Sequence, residues 1–272
     1  MKTLDCNLPF RMFATVLALS AVVGTTAHSA EGQFFDSDGV MLRYFDQGQG
    51  APILLLHGFS GQATDSWNWE PGGLVESLLD SGYRVIAYDQ RGHGESDKPH
   101  ALDAYGMVVV EDVHRILNFL EIERVHLVGY SMGSRVVNKF RELYPERLFS
   151  VKLGAFQWRK IEEGRSEEAL RERFAARGRL EGRDPRALAA ISADYSAWDV
   201  SDQNLRDNKI PALALVGDED ELVTNNRELY AMMGNLELVV IPGGTHGGTN
   251  AAREKELFRR ELLRFVRENG PD

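Results

Sequence analysis

The chain has 272 residues, of which 43% are hydrophobic and 26% are charged. These values are typical of a globular protein, and the length fits one large domain with a sizeable core better than two small ones. With 31 Lys and Arg against 41 Asp and Glu, the formal net charge is -10. An acidic surface repels phosphate backbones and anionic lipids, so the composition argues against nucleic acid and anionic membranes as partners.

The first thirty residues differ from the rest of the chain. Lys2 and Arg11 precede an apolar stretch over 12–24, and small residues follow it. This order predicts a secretory signal peptide over residues 1–30, cleaved after Ala27 or Ala30. An uncleaved membrane anchor is the alternative, but the apolar stretch is shorter than the ~20 residues that span a bilayer. We therefore expect an exported protein, periplasmic or secreted, without stable membrane insertion once the signal is removed.

Beyond this segment, apolar runs and amphipathic patterns alternate along the chain. The patterns predict an opening hairpin around 40–45, strands over 53–56, 83–88, 125–128, 151–155, 211–216 and 236–241, and helices over 74–79, 109–120, 135–144 and 257–266. Continuous apolar runs are typical of strands that are buried on both faces. Their alternation with helices predicts an α/β fold, with a mostly parallel central sheet and helices on both faces.

Residues 156–208 have a different composition. Charged residues are dense there, and apolar residues such as Phe174, Leu188 and Trp198 are sparse. This pattern predicts a helical insertion rather than a further layer of the core.

The segment Gly129-Tyr130-Ser131-Met132-Gly133 stands between a predicted strand and a predicted helix. In such an elbow the glycines let strand and helix pack closely, and the sharp turn lifts the serine hydroxyl above the end of the sheet. As a bare pattern G-x-S-x-G is common, and it equally fits an ordinary tight turn with a capping serine. The strand before it and the helix after it favour a nucleophile.

Several motifs resemble those of the α/β-hydrolase superfamily. His57-Gly58-Phe59 resembles the oxyanion loop, 89–96 the stretch after the next strand, 129–133 the nucleophile elbow, 217–220 the acid turn and 243–246 the histidine loop. The chain order Ser, Asp, His also matches that of the superfamily. The resemblance implies an α/β-hydrolase fold over 31–272, with the insertion at 156–208 as a small helical cap over the active site.

The same resemblance implies the catalytic roles. Ser131 is the predicted nucleophile, His246 the base that activates it, and Asp220 the acid that orients the imidazole. The backbone N–H groups of Phe59 and Met132 are the predicted oxyanion hole. Asp218 stays open as the acid, because neighbouring carboxylates in one turn cannot be separated by pattern alone.

These residues predict a serine hydrolase, a carboxylesterase that cleaves small-molecule esters through an acyl-enzyme. The same triad and fold also serve C–C bond, thioester and lactone hydrolysis and perhydrolysis, and a non-catalytic ligand-binding protein on this fold is a further alternative. In relatives that act on epoxides or haloalkanes the nucleophile is an aspartate, so Ser131 speaks against both chemistries.

No cofactor and no metal are expected, because the sequence has neither a metal-ligand spacing of His, Cys and Asp nor a glycine-rich nucleotide motif after a strand. The oligomeric state is open at this point. Several aromatic residues either line an acyl or alcohol pocket or anchor the cap to the body: Trp67, Trp69, Phe156, Trp158 and Trp198.

Overall fold

The computed structural model describes residues 32–67, 73–158, 164–247 and 250–271. The predicted signal peptide and Trp69 lie outside these residues. Within them, no helix is both long enough and apolar enough to cross a membrane.

A central eight-stranded sheet organises the described residues. Its strands are β1 (Gln33–Asp36), β2 (Met41–Gln47), β3 (Pro52–Leu56), β4 (Arg84–Tyr88), β5 (Val125–Tyr130), β6 (Leu148–Gly154), β7 (Ala212–Gly217) and β8 (Leu236–Ile241). They lie in the order β1-β2-β4-β3-β5-β6-β7-β8. β2 pairs antiparallel with β1 and with β4, and all other neighbours are parallel. The predicted fold class is confirmed.

Helices connect the strands and cover the sheet. They are α1 (Ala63–Ser66), α2 (Leu74–Asp80), α3 (Met107–Phe119), α4 (Met132–Leu143), α5 (Glu167–Ala176), α6 (Pro185–Ala193), α7 (Asp202–Asp207), α8 (Val223–Met232) and α9 (Glu256–Glu268). Short 3-10 turns occur at Leu102–Ala104, Pro145–Arg147, Tyr195–Trp198 and Ala252–Glu254.

Two hydrophobic clusters occupy the two faces of the sheet. Successive side chains of a strand point to opposite faces, so Leu127 of β5 joins one cluster and Val128 the other. The larger cluster includes residues of α3 and α4, and the smaller one includes residues of α2 and α9. Because both faces are covered, most of the central strands are predominantly apolar in sequence.

Some elements differ from the sequence-based prediction. β6 begins at Leu148 rather than at 151, because the buried polar residues Ser150 and Lys152 interrupt its apolar pattern. α4 begins at Met132, directly after Ser131. α8 was not predicted, since Asn226 and Leu229 are its only buried residues and leave almost no apolar periodicity.

The insertion between β6 and β7 contains α5, α6, α7 and the turn Tyr195–Trp198. It is helical, as its composition predicts. Its apolar residues, however, are buried in the larger cluster, so the insertion contributes to the core instead of standing apart from it. The density of charged residues obscured this in the sequence, because the apolar side chains that join the core are few.

Candidate active site

Ser131 occupies a sharp turn between β5 and α4. Its φ is 53° and its ψ is -115°, a combination that costs a residue with a Cβ about 1–3 kcal/mol. The Ser131 N–H donates to the Gly154 carbonyl of the neighbouring strand at 2.8 Å. The strained conformation is thus held by the sheet, and it places the side chain at the carboxyl end of β5, where open α/β sheets bind ligands.

Gly133 shows why the elbow needs small residues. A Cβ added at this position would lie 2.3 Å from the Leu56 carbonyl oxygen of β3. Since that oxygen belongs to a buried strand, it cannot move aside. The first turn of α4 can therefore pack this closely against the sheet only with glycine at 133.

Ser131, His246 and Asp220 form a hydrogen-bonded chain. His246 Nε2 lies 3.0 Å from Ser131 Oγ, and His246 Nδ1 lies 3.0 Å from Asp220 Oδ2. A carboxylate only accepts, so Nδ1 carries the proton and Nε2 is free to accept the serine proton. This arrangement can generate a serine alkoxide equivalent and stabilise the imidazolium that forms.

The two candidate acids have different environments. Asp220 is buried, and its Oδ1 accepts the Leu222 N–H at 2.9 Å, which fixes the carboxylate that faces the imidazole. Asp218 is exposed, and its Oδ1 accepts the Gly243 N–H at 2.7 Å. The structure therefore brings Asp220 to the ring of His246, while the Asp218 side chain accepts from the backbone of the histidine loop.

The loop after β3 packs directly on the nucleophile. A Cβ added at Gly58 would lie 3.2 Å from Ser131 Cβ. Among the described residues, neither the Phe59 N–H nor the Met132 N–H has a hydrogen-bond acceptor. For Met132 this follows from its place in the first turn of α4, where N–H groups have no intrahelical partner. Unpaired donors next to Ser131 suit an oxyanion.

The stretch after β4 supports this loop. The Gln90 N–H donates to His57 Nε2 at 3.0 Å, and the Gln90 side chain donates to the His57 carbonyl at 2.7 Å. His57 Nδ1 in turn donates to the Gly58 carbonyl at 2.8 Å. Both ring nitrogens of His57 are thus engaged in holding the loop, which gives this histidine a structural role.

Tyr130 also contacts the site, although the sequence analysis assigned it no role. Its hydroxyl donates to the His246 carbonyl at 2.9 Å, across 116 positions of the chain. Burial raises the pKa of Tyr130, so the phenol stays protonated and keeps donating. No local pattern could indicate this contact, because the partner lies on another loop.

The aromatic residues considered for a substrate pocket are mostly structural. Trp198 donates its indole N–H to the Gly106 carbonyl, and Trp158 donates to the Asn225 carbonyl, both at 2.8 Å. Trp67 is buried in the smaller cluster, and Phe156 is buried in the larger one. Among the described residues, no group of three or more His, Cys, Asp or Glu side chains is placed to hold a metal ion.

Comparison with known proteins agrees with this architecture. Residues 51–153 match the family model for the alpha/beta hydrolase fold. The chain is 27% identical to the non-heme chloroperoxidase CPO-A1 of Kitasatospora aureofaciens, over 84% of this chain and 97% of that protein. It is 34% identical to a 2-hydroxy-6-oxo-6-phenylhexa-2,4-dienoate hydrolase of Comamonas testosteroni, but over only 46% of this chain and 43% of that protein.

A solved structure shows the same fold over most of the chain. A thermophilic esterase from Thermogutta terrifontis, solved with malate bound, superposes with a TM-score of 0.70 at 23% identity, covering 89% of this chain and 100% of the esterase. Together with the eight-stranded sheet, this similarity shows that the chain has the α/β-hydrolase fold, and the family model matches its first half through the elbow and α4.

Proposed function

We propose that this protein is an exported serine hydrolase that cleaves carboxylic esters. The observation that carries the proposal is the chain from Ser131 Oγ through His246 to Asp220, with both contacts at 3.0 Å. An ordinary capping serine needs neither a strained backbone nor an imidazole held in one tautomer, so this geometry supports nucleophilic catalysis.

The reaction follows from this geometry. Ser131 Oγ attacks the ester carbonyl while His246 Nε2 takes its proton, and the Phe59 and Met132 N–H groups bind the oxyanion. His246 then gives the proton to the leaving alcohol, which leaves an acyl group on Ser131. Water attacks the acyl-enzyme, His246 takes the water proton and returns it to Ser131, and the carboxylic acid departs. Asp220 orients the imidazole throughout.

A fluorophosphonate and a panel of chromogenic esters of graded acyl length test this proposal. We expect stoichiometric labelling that maps to Ser131 and turnover of at least one ester. Labelling without turnover of any ester would favour another reaction of the same triad. Absence of labelling in folded protein would favour a non-catalytic binding protein.

Perhydrolysis is a second candidate, because a relative that matches 84% of this chain is a chloroperoxidase by name. In that reaction hydrogen peroxide instead of water attacks the acyl-enzyme and releases a peroxy acid. Adding peroxide to an ester assay distinguishes the two, since peroxy acid oxidises a halide or a dye whereas the carboxylic acid does not.

Export and the cap are separate parts of the proposal. Export rests on the order of basic, apolar and small residues at the start of the chain. It predicts a mature amino terminus at His28 or Glu31, and amino-terminal sequencing of the periplasmic or secreted protein checks this. An intact Met1 would contradict it. The position of the insertion between β6 and β7, next to the elbow, supports its role as the cap.

A further inference from the structure

Arg165 of the insertion lies over the oxyanion loop. Its guanidinium carbon is 4.8 Å from the centroid of the Phe59 ring. Ser192 of α6 holds the Arg165 backbone, accepting its N–H at 2.9 Å and donating to its carbonyl at 3.4 Å. The backbone of Arg165 is therefore held by Ser192 and its guanidinium lies against Phe59, although the residue is exposed to solvent.

The charge of Arg165 has no counter-ion among the described residues. The salt bridges of that part of the chain leave it out. Arg171, on the next helix, differs in this respect, because its guanidinium pairs with Glu167 at 2.8 Å. A cation that is fixed over an aromatic ring and has no carboxylate partner is available to an anionic ligand.

Further arginines of the insertion increase the positive charge around this position. Burial lowers the pKa of Arg173, and the positive charges of Arg177 and Arg165 lower it further. Arg183 donates to the Ser60 carbonyl at 3.2 Å and lines a cavity of about 160 Å³ beside the oxyanion loop. Glu181 lines the same cavity, so the charge of Arg183 is partly offset there.

Tyr195 packs against the same aromatic ring. Its ring meets the Phe59 ring edge to face at 6.2 Å, and it is only 6% exposed. Burial raises the pKa of Tyr195, whereas the charge of Arg165 and a hydrogen bond with its side chain act in the opposite direction. Tyr195 therefore helps to hold the Arg165 guanidinium over the oxyanion loop.

We propose that Arg165 binds a carboxylate of the substrate, so that the preferred substrates are monoesters of dicarboxylic acids rather than neutral esters of the same length. This inference rests on the proposed ester hydrolysis. The carbonyl oxygen of the ester occupies the oxyanion hole at Phe59 and Met132, and the distal carboxylate lies beyond the Phe59 ring, at the Arg165 guanidinium. The two binding points thus lie on either side of Phe59, whose backbone N–H faces the ester carbonyl and whose ring carries the Arg165 guanidinium.

The physical basis is charge neutralisation in a protein that is acidic as a whole. With a net charge of -10, the general field repels an anionic substrate. The guanidinium of Arg165 over the oxyanion loop offsets this repulsion locally, which a neutral substrate does not require. A charged hydrogen bond of this kind contributes about 10- to 100-fold in affinity.

The test compares monoethyl adipate with ethyl hexanoate, which has the same acyl length and no charge. The measured quantity is the ratio of kcat/KM for the two esters, in wild type and in Arg165→Gln, Arg165→Lys and Arg171→Gln. We expect the ratio to fall about 10- to 100-fold in Arg165→Gln, chiefly through KM for the monoester, and to be partly retained in Arg165→Lys. Arg171→Gln removes the same charge from the same insertion and should leave the ratio unchanged.

A ratio in Arg165→Gln within twofold of wild type, or an equal fall in Arg171→Gln, overturns the inference while ester hydrolysis stands. If wild type hydrolyses neither ester, the proposed function fails instead. Calorimetric binding of monoethyl adipate to wild type and to Arg165→Gln then decides the inference, because that readout needs no turnover. Weaker binding only in the variant supports the site, and equal or absent binding overturns it.

Discussion

Two serine–histidine hydrogen bonds lie at opposite ends of β5. At the carboxyl end, Ser131 Oγ is 3.0 Å from the Nε2 of His246. Near the amino end, Ser150 Oγ is 2.7 Å from the Nδ1 of His126. The third group differs, since the first pair is completed by the carboxylate of Asp220 and the second by the amine of Lys152, whose Nζ lies 2.8 Å from Ser150 Oγ. Burial lowers the pKa of Lys152 well below its usual value.

The difference shows that a serine–histidine contact is not sufficient for catalysis. Burial, together with the charges of Lys152 and Arg124, lowers the pKa of His126 to about 2, so this ring cannot accept a proton near neutral pH. His126, Ser150 and Lys152 are also fully buried, whereas the side chain of His246 is 40% exposed. A carboxylate partner and access for a substrate are what separate the candidate active site from a structural cluster.

The largest contrast is expected between the two serines. Ser131→Ala should lower kcat about 10⁵- to 10⁶-fold and abolish fluorophosphonate labelling, because the nucleophile is lost. Ser150→Ala should keep labelling and turnover, since its cluster takes no part in the reaction. Both variants are assayed on one ester, with circular dichroism to show that they are folded. Loss of labelling in folded Ser150→Ala would contradict the structural role assigned to Ser150.

The next contrast concerns the acid. Asp220→Asn should lower kcat by up to ~10⁴-fold, because the amide favours the wrong imidazole tautomer. Asp218→Asn should change kcat little, since the amide oxygen can still accept the Gly243 N–H. The check is kcat of both variants on the same ester. A crippled Asp218→Asn beside an active Asp220→Asn would move the acid to Asp218.

A third prediction concerns the pH dependence of stability. The pKa of His126 is about 2 in the folded protein, below its ordinary value of 6.5, so between these pH values the unfolded chain binds the additional proton. Its contribution to stability is complete above pH 6.5 and is lost as the pH falls, by about 1.4 kcal/mol per pH unit. His126→Asn, whose Oδ1 replaces Nδ1 beside Ser150, should flatten this dependence in urea unfolding between pH 7 and 5. Parallel curves for variant and wild type would show that His126 does not titrate on unfolding.

The smallest effect is expected at Tyr130, which lies on the same strand face as His126. Tyr130→Phe removes the hydrogen bond to the His246 carbonyl and should cost about 1 kcal/mol of stability. The histidine loop should then position the imidazole less well, so kcat should fall about 3- to 10-fold with little change in KM. Thermal unfolding and steady-state kinetics measure the two effects. An unchanged kcat would show that the hydrogen bond from Tyr130 to the His246 carbonyl affects stability and not catalysis.

Prediction from the sequence succeeded where the signal was local or strongly periodic. The buried strands are continuous apolar runs, so their existence and the α/β class were readable, as were α3 and α9 from their helical spacing. The start of β6 and the whole of α8 were missed, because buried polar residues such as Ser150, Lys152 and Asn226 contradict the apolar pattern. Their burial is possible only because partners from other elements satisfy them.

The elbow at Ser131 could be predicted because its motif lies within five consecutive residues, although the contacts that require glycine at 133 and hold the strained serine come from Leu56 of β3 and Gly154 of β6. The sequence narrowed the acid to one turn but could not choose between Asp218 and Asp220, because their burial and their partners in the histidine loop are decided only by the folded chain. The contact from Tyr130 to His246, the position of Arg165 over Phe59 and the burial of Lys152 depend on packing between segments that are distant in the chain. Such contacts leave no local pattern, because the same residue types are equally compatible with a solvated surface until the folded chain brings their partners together.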